Sequence, residues 1–64
     1  MPSVETNTRK IIRRLEAEGW RRLGGGRHDK FEHPDKPGQL IVVPRHRDLV
    51  PNMARSIAKA AGWI

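Results

Sequence analysis

Two turn-forming segments interrupt the middle of the chain and limit what it can fold into. Three consecutive glycines occupy positions 24–26, and residues 34–38 contain two prolines and a glycine. Glycine gives the backbone access to positive φ angles and to close approach by another molecule, while proline fixes φ and removes a hydrogen-bond donor. These segments therefore indicate turns between short strands.

Three short strands are predicted around these breaks, at residues 20–23, 28–33 and 39–43. Successive side chains of a strand point to opposite faces, so Asp29 and Phe31 share one face and His28 lies on the other. With Phe31 in the core, His28 is expected on the exposed face. Residues 40–43 form the most apolar run in the chain, and its continuity predicts a well-buried third strand.

Apolar residues at helical spacing predict one helix at each end of the chain. The N-terminal stripe is Val4, Ile11, Ile12 and Leu15, and the C-terminal stripe is Met53, Ile57, Ala60 or Ala61, and Ile64. Three possible N-caps leave the start of the first helix open by a turn: Ser3, Thr6 and Asn7. Pro51 suits the first turn of the second helix, and Gly19 and Gly62 are expected to end the two helices.

The predicted element order is α-β-β-β-α, an α+β fold. Two helices packed on one side of a three-stranded antiparallel sheet would bury its apolar face and leave the other face open. Residues 1–64 are expected to form a single domain, since so short a chain has room for only one small core. The predicted core contains Ile11, Ile12, Leu15, Phe31, Val42, Met53 and Ile57.

Charge and composition narrow the classes of function. The chain has 13 Lys and Arg against seven Asp and Glu, a net charge of +6, so polyanions are its natural partners. Nucleic acid fits best because arginine, the commoner cation here, binds phosphate through two N–H groups. A basic surface that serves only solubility is the alternative. The absence of cysteine excludes disulfides, and no uncharged apolar run approaches the roughly 18 residues of a membrane span, so a cytoplasmic protein without a membrane partner is expected.

His28 is the residue in the sequence best suited to catalysis. A histidine can take a proton from a ribose 2′-hydroxyl, or give one to a leaving oxygen, near neutral pH. The cations placed to stabilise charge on the phosphate are Arg27, Lys30, Arg45 and Arg47. The histidines lack the short ligand spacing of a metal site, so neither a metal nor another cofactor is expected. The alternative is that His28 is an ordinary solvated strand residue.

Several features of the chain occur together in one known family. They are a first helix ending at Gly19-Trp20, the run Gly25-Gly26-Arg27-His28 with Phe31 and His33-Pro34, an apolar strand ending at Val43-Pro44, and a last helix preceded by Leu49 and Pro51. In these features the sequence resembles the HicA family of bacterial toxins over nearly its whole length. The resemblance implies a fold like that of double-stranded RNA-binding domains.

The resemblance also implies an activity and a partner. It suggests the toxin of a type II toxin–antitoxin system, a metal-independent endoribonuclease that cleaves mRNA and is neutralised by a HicB-like antitoxin. The family's catalytic histidine follows Gly-Ser and would be His28, although Arg27 stands here in place of the usual serine. Contacts with RNA are expected from Gly25, Gly26, Arg27, Lys30, Arg45 and Arg47. A non-catalytic RNA-binding module of the same fold is the alternative, and a basic domain recruited to another protein is a third.

Overall fold

Five elements follow one another along the chain in the predicted order. The computed structural model describes residues 4–24 and 26–64. The elements are α1 (Thr8–Ala17), β1 (Arg21–Leu23), β2 (His28–Glu32), β3 (Leu40–Pro44) and α2 (Pro51–Ala60). The strands form one antiparallel sheet in the order β1-β2-β3. Helix α1 packs on β1 and β3, and α2 packs on β3, so the predicted α+β fold is confirmed.

Helix α1 is bounded by two residues that satisfy its terminal backbone groups. Asn7 is the N-cap, and its side chain accepts a hydrogen bond of 3.0 Å from the backbone N–H of Lys10. This selects one of the three predicted caps; Ser3, another of them, lies outside the described residues. The helix ends as predicted, with Gly19 at a φ of +97° just after the C-cap Glu18.

The end of α1 is fastened to the turn that follows β2 through His33. Its Nε2 lies 2.9 Å from the carbonyl oxygen of Glu18, and its Nδ1 accepts a 3.1 Å hydrogen bond from the backbone N–H of Asp35. Because Nδ1 accepts a hydrogen bond, the ring carries its proton on Nε2, and this N–H donates a hydrogen bond to the carbonyl oxygen of Glu18. The ring also packs edge-on against Trp20, with centroids 5.3 Å apart. His33 is therefore part of the fold.

The core lies between the helices and one face of the sheet. Of the seven predicted core residues, Ile11, Leu15, Phe31 and Ile57 are buried and Ile12 is partly buried against them. The others that complete the core are Trp20, Ile41, Val43, Leu49, Ala54 and Ala61. The prediction was wrong for Val42 and Met53, which remain 37% and 40% exposed.

The error at Val42 arises from the one-sided packing of the sheet. Strand β3 alternates, with Ile41 and Val43 facing the helices and Leu40 and Val42 facing away from them. The continuous apolar run therefore does not make the strand buried on both faces. In α2 the buried stripe is Ala54, Ile57 and Ala58, which leaves Met53 at the margin of the buried face.

The C-terminal end of the chain is tied back to α1 by a second set of contacts. Gly62, at a φ of +83°, follows α2 as predicted. Beyond it, the indole N–H of Trp63 donates to Glu18 at 2.8 Å, and the guanidinium of Arg14 lies 4.3 Å from the centroid of that indole ring. The Trp63 hydrogen bond, supported by the adjacent Arg14, lowers the pKa of the Glu18 carboxyl below its ordinary value.

We predict that Gly19→Ala destabilises the protein more than Gly38→Ala does. Both glycines have positive φ angles, but a Cβ at position 19 would lie 2.9 Å from Nε2 of His33, whereas none would meet a neighbour at position 38. Alanine in a left-handed backbone conformation costs about 1–2 kcal/mol, and this cost is common to both variants. The excess at position 19 reports displacement of His33, and urea unfolding of the two variants measures it. Equal losses of unfolding free energy would contradict the proposed role of this contact.

Candidate active site

His28 is the first residue of β2 and lies on the open face of the sheet. Its Cα is paired with that of Pro44 in β3. Burial alternates along β2, with Asp29 and Phe31 buried and His28, Lys30 and Glu32 exposed. The predicted exposure of His28 is therefore confirmed, and Lys30 lies two residues further along the same face.

One end of the sheet brings several predicted site residues together. Leu23 is paired with Lys30 and His28 with Pro44, so the loop after β1 and the segment after β3 emerge at the same end. That end carries Gly24, Gly26, Arg27, His28 and Arg45. Gly24 and Arg45, 21 positions apart in sequence, thus lie at one end because antiparallel pairing places the end of β1, the start of β2 and the end of β3 side by side.

Arg45 is held at this end by an ion pair with Asp29. Its Nη2 and Nε lie 3.1 and 3.3 Å from Oδ1 of Asp29. The Asp29 side chain is only 12% exposed, whereas that of Arg45 is 56% exposed. The pairing satisfies a nearly buried carboxylate on the core side of β2 and leaves part of the guanidinium exposed at the end of the sheet that carries His28. Sequence reasoning missed this role of Asp29, although its alternation with His28 placed a carboxylate on the core side, where a partner is needed.

The fold itself does not require glycine at positions 24 and 26, shortly before His28. Gly24 and Gly26 do not have positive φ angles, and a Cβ added at either would meet no atom within 4 Å. The expected use of left-handed backbone angles is therefore wrong for these two positions, while Gly25 lies outside the described residues. What remains is the open space above them, which suits close approach by another molecule.

Arg47 is separated from the other predicted contacts. Its carbonyl oxygen accepts a 3.0 Å hydrogen bond from the backbone N–H of Thr8 at the start of α1, and Arg47 lines a groove beside that helix. The groove also includes Arg22, which is paired with the buried Phe31 and so lies on the helix side of the sheet. Arg47 therefore belongs to a different surface from His28, a separation that the sequence did not indicate.

The described residues were searched for a cluster of metal-ligating side chains and for a membrane-spanning helix. Across residues 4–24 and 26–64, no three His, Cys, Asp or Glu side chains are close enough together to hold a metal ion. Over the same ranges, neither helix combines the length and apolar character needed to cross a membrane.

The sequence was compared with known protein families and with curated proteins. A sequence model described as the HicA toxin of bacterial toxin–antitoxin systems matches residues 8–63. A search of curated proteins finds no match. The matched region starts at the first residue of α1 and continues to Trp63, so it includes both helices, the whole sheet and His28. The chain therefore belongs to the HicA family of toxins.

Proposed function

We propose that this toxin is a metal-independent endoribonuclease that cleaves mRNA with His28 as its catalytic residue, and so arrests translation. The observation that carries the proposal is the position of His28, which is exposed on the open sheet face at the same end of the sheet as unobstructed glycines and an anchored arginine. A rigid strand fixes the backbone of the histidine, as an active site requires. Membership of the HicA family supports the same activity.

The proposed reaction is attack of a ribose 2′-oxygen on the adjacent phosphorus. Neutral His28 accepts the proton of the 2′-hydroxyl as the new O–P bond forms. The bond from phosphorus to the 5′-oxygen then breaks, and that oxygen takes a proton from water. The hydroxide that remains removes the proton from His28 and restores the neutral imidazole. The products are a 2′,3′-cyclic phosphate and a 5′-hydroxyl, so every atom is accounted for without a metal ion or cofactor.

Three cations are available for the charge that develops on the phosphate. Lys30 lies on the same face as His28, Arg45 is anchored at the same end of the sheet, and Arg27 precedes the histidine directly. Within the described residues, Arg27 and Lys30 have no ion-pair partner. Their N–H groups can therefore bind the phosphate oxygens in the transition state. The glycines at 25 and 26 are proposed to let the RNA backbone approach.

One observation favours the second function, a non-catalytic RNA-binding module. Within residues 4–24 and 26–64, no hydrogen-bond partner orients the imidazole of His28, whereas a general base is usually held by a second group. Catalytic hydrogen bonds often form only once substrate is bound, so the free enzyme can lack such a partner. Cleavage and binding must be measured separately to distinguish the two functions.

The partner proposed for this toxin is a HicB-like antitoxin that covers the open face. Family membership implies an antitoxin, and the open face presents the apolar side chains Leu40, 51% exposed, and Val42. They are paired with Glu32 and Lys30 of β2, respectively. The exposed apolar side chains of β3 beside the charged ones of β2 offer a partner both apolar and polar contacts, as protein interfaces do. A partner seated there would also cover His28.

We predict that His28→Ala lowers the rate of RNA cleavage by about 10²–10⁴, the usual contribution of one general acid or base. Melting temperature and RNA affinity should change little, because His28 is exposed and makes no core contact. The measurement is cleavage of end-labelled RNA in EDTA. His46→Ala is the matched control, since that histidine is exposed and outside the strands; His33→Ala is unsuitable because His33 supports the fold.

A folded His28→Ala protein that cleaves RNA at the wild-type rate would exclude the proposed mechanism. Binding of RNA by the wild-type protein without cleavage would identify the binding module instead. Loss of wild-type cleavage in EDTA would exclude metal independence.

We also predict that Leu40→Asp weakens antitoxin binding at least tenfold, because it places a charge among the exposed apolar side chains of the proposed interface. Val50→Asp is the control: Val50 is 67% exposed but lies at the start of α2, away from the open face. Aspartate is also accepted at a helix N-cap, so this control should fold. Isothermal titration with a HicB-like antitoxin gives both affinities. A larger loss for Val50→Asp would place the interface on the helical side.

A further inference from the structure

A groove on the helical side of the sheet is lined by basic residues. It has a volume of about 720 Å³ and runs along α1. Arginines line it from three parts of the chain: Arg9 and Arg13 from α1, Arg22 from β1, and Arg47 from the segment after β3. The one carboxylate in its lining is Glu16. The groove thus concentrates positive charge on the side of the sheet opposite to His28.

The arginines of this groove are not used in ion pairs within the described residues. Over residues 4–24 and 26–64 the ion pairs are Arg14 with Glu18 and Arg45 with Asp29. The guanidinium of Arg22 lies 5.6 Å from the ring centroid of Phe31, a cation–π contact that does not use its N–H groups as hydrogen-bond donors. The groove therefore offers free N–H donors and a positive field to a ligand that carries negative charge and acceptors.

Other polar groups in the groove are already occupied. The Asn7 side chain caps α1, and the hydroxyl of Thr8 donates to the carbonyl oxygen of His46. The first turn of α1 contains no acidic residue, but the Glu5 carboxylate accepts a 3.0 Å hydrogen bond from the backbone N–H of the N-cap Asn7 and offsets part of the positive charge of the helix N-terminus. Recognition in this groove must come chiefly from the guanidinium groups.

The arrangement of the charges favours a nucleic acid strand over an acidic protein. Arg9 and Arg13 are four residues apart on α1, which spaces their Cα atoms by about 6 Å along the helix axis. A row of cations at this spacing follows the successive phosphates of a strand. Protein interfaces instead depend on apolar and aromatic anchors, and the aliphatic side chain in this lining is Ile12.

We propose that this groove binds the ribose–phosphate backbone of RNA away from the nucleotide at His28. The inference rests on the proposed ribonuclease function only for the identity of the polymer. Arg47 follows the end of β3 at which His28 also lies, so one end of the groove reaches the end of the sheet that carries the active site. A strand leaving His28 can therefore continue around the sheet into the groove.

RNA binding in a His28→Ala background tests the groove independently of cleavage. A fluorescein-labelled single-stranded RNA is titrated with the full chain and followed by anisotropy over a series of KCl concentrations. Arg9→Gln with Arg13→Gln removes two groove charges. Arg55→Gln with Lys59→Gln is the matched control, because it removes two exposed charges at the same helical spacing from α2. Circular dichroism establishes that each variant is folded.

We expect the groove pair to reduce the slope of log Kobs against log[KCl] by about 1.4, since each phosphate contact with a single strand contributes about 0.7. The control pair should change the slope by less than half as much. Glu16→Gln, which removes the carboxylate from the groove lining, should increase RNA affinity. This third variant keeps the test decisive even where the double variant fails to fold.

Three results would overturn the inference. The first is an equal change in slope for the groove and control pairs, which would assign binding to overall charge. The second is an RNA affinity that does not rise for Glu16→Gln. The third is weakened binding of poly-glutamate by the groove pair with unchanged binding of RNA, which would identify an acidic protein as the ligand. None of these results depends on whether His28 is catalytic.

Discussion

A chain of 64 residues supplies enough apolar side chains to cover one face of a small sheet, and the structure follows from this constraint. Both helices pack on the same side, and alternation along β2 divides its residues between core and solvent. Phe31 anchors the covered side and is fully buried, while His28 faces away. Every residue proposed for catalysis depends on this division, because a shift of β2 by one residue would exchange the two faces.

The small core is supplemented by polar contacts that join distant parts of the chain. Glu18 is central to them: its carbonyl oxygen accepts from His33, and its carboxylate accepts from Trp63 and Arg14. One residue after α1 thus connects the helix, the turn after β2 and the end of the chain. In a protein without cysteine these hydrogen bonds hold the C-terminal segment and the turn after β2 against the end of α1.

The fold was predictable because local signals agreed with one another. The glycine and proline breaks located the strands to within one residue, and Gly19 and Gly62 marked the ends of both helices. The exposure of His28 also followed from alternation with Phe31. Val42 was misplaced because an apolar run does not reveal which faces of a strand are covered. Sheet pairing also determines that Asp29 meets Arg45, a contact between residues 16 positions apart.

The different contacts of Arg45 and Arg47 could not be predicted from the sequence. The two residues are neighbours in a basic segment, and nothing in their spacing distinguishes them. In the structure Arg45 pairs with Asp29 of β2, whereas Arg47 lines the groove beside α1 because its carbonyl is bonded to Thr8. Tertiary hydrogen bonds, rather than local preferences, give the two cations different neighbours.

The position of the arginine groove has a consequence for how such a protein can be silenced. The groove and the open face lie on opposite sides of a three-stranded sheet, so one compact inhibitor that blocks His28 leaves the groove arginines in solvent. Blocking the proposed catalytic surface and neutralising the charge of the molecule are then separate events. An inhibited complex of this geometry keeps a cationic side, and free polyanions can gather there without displacing the inhibitor.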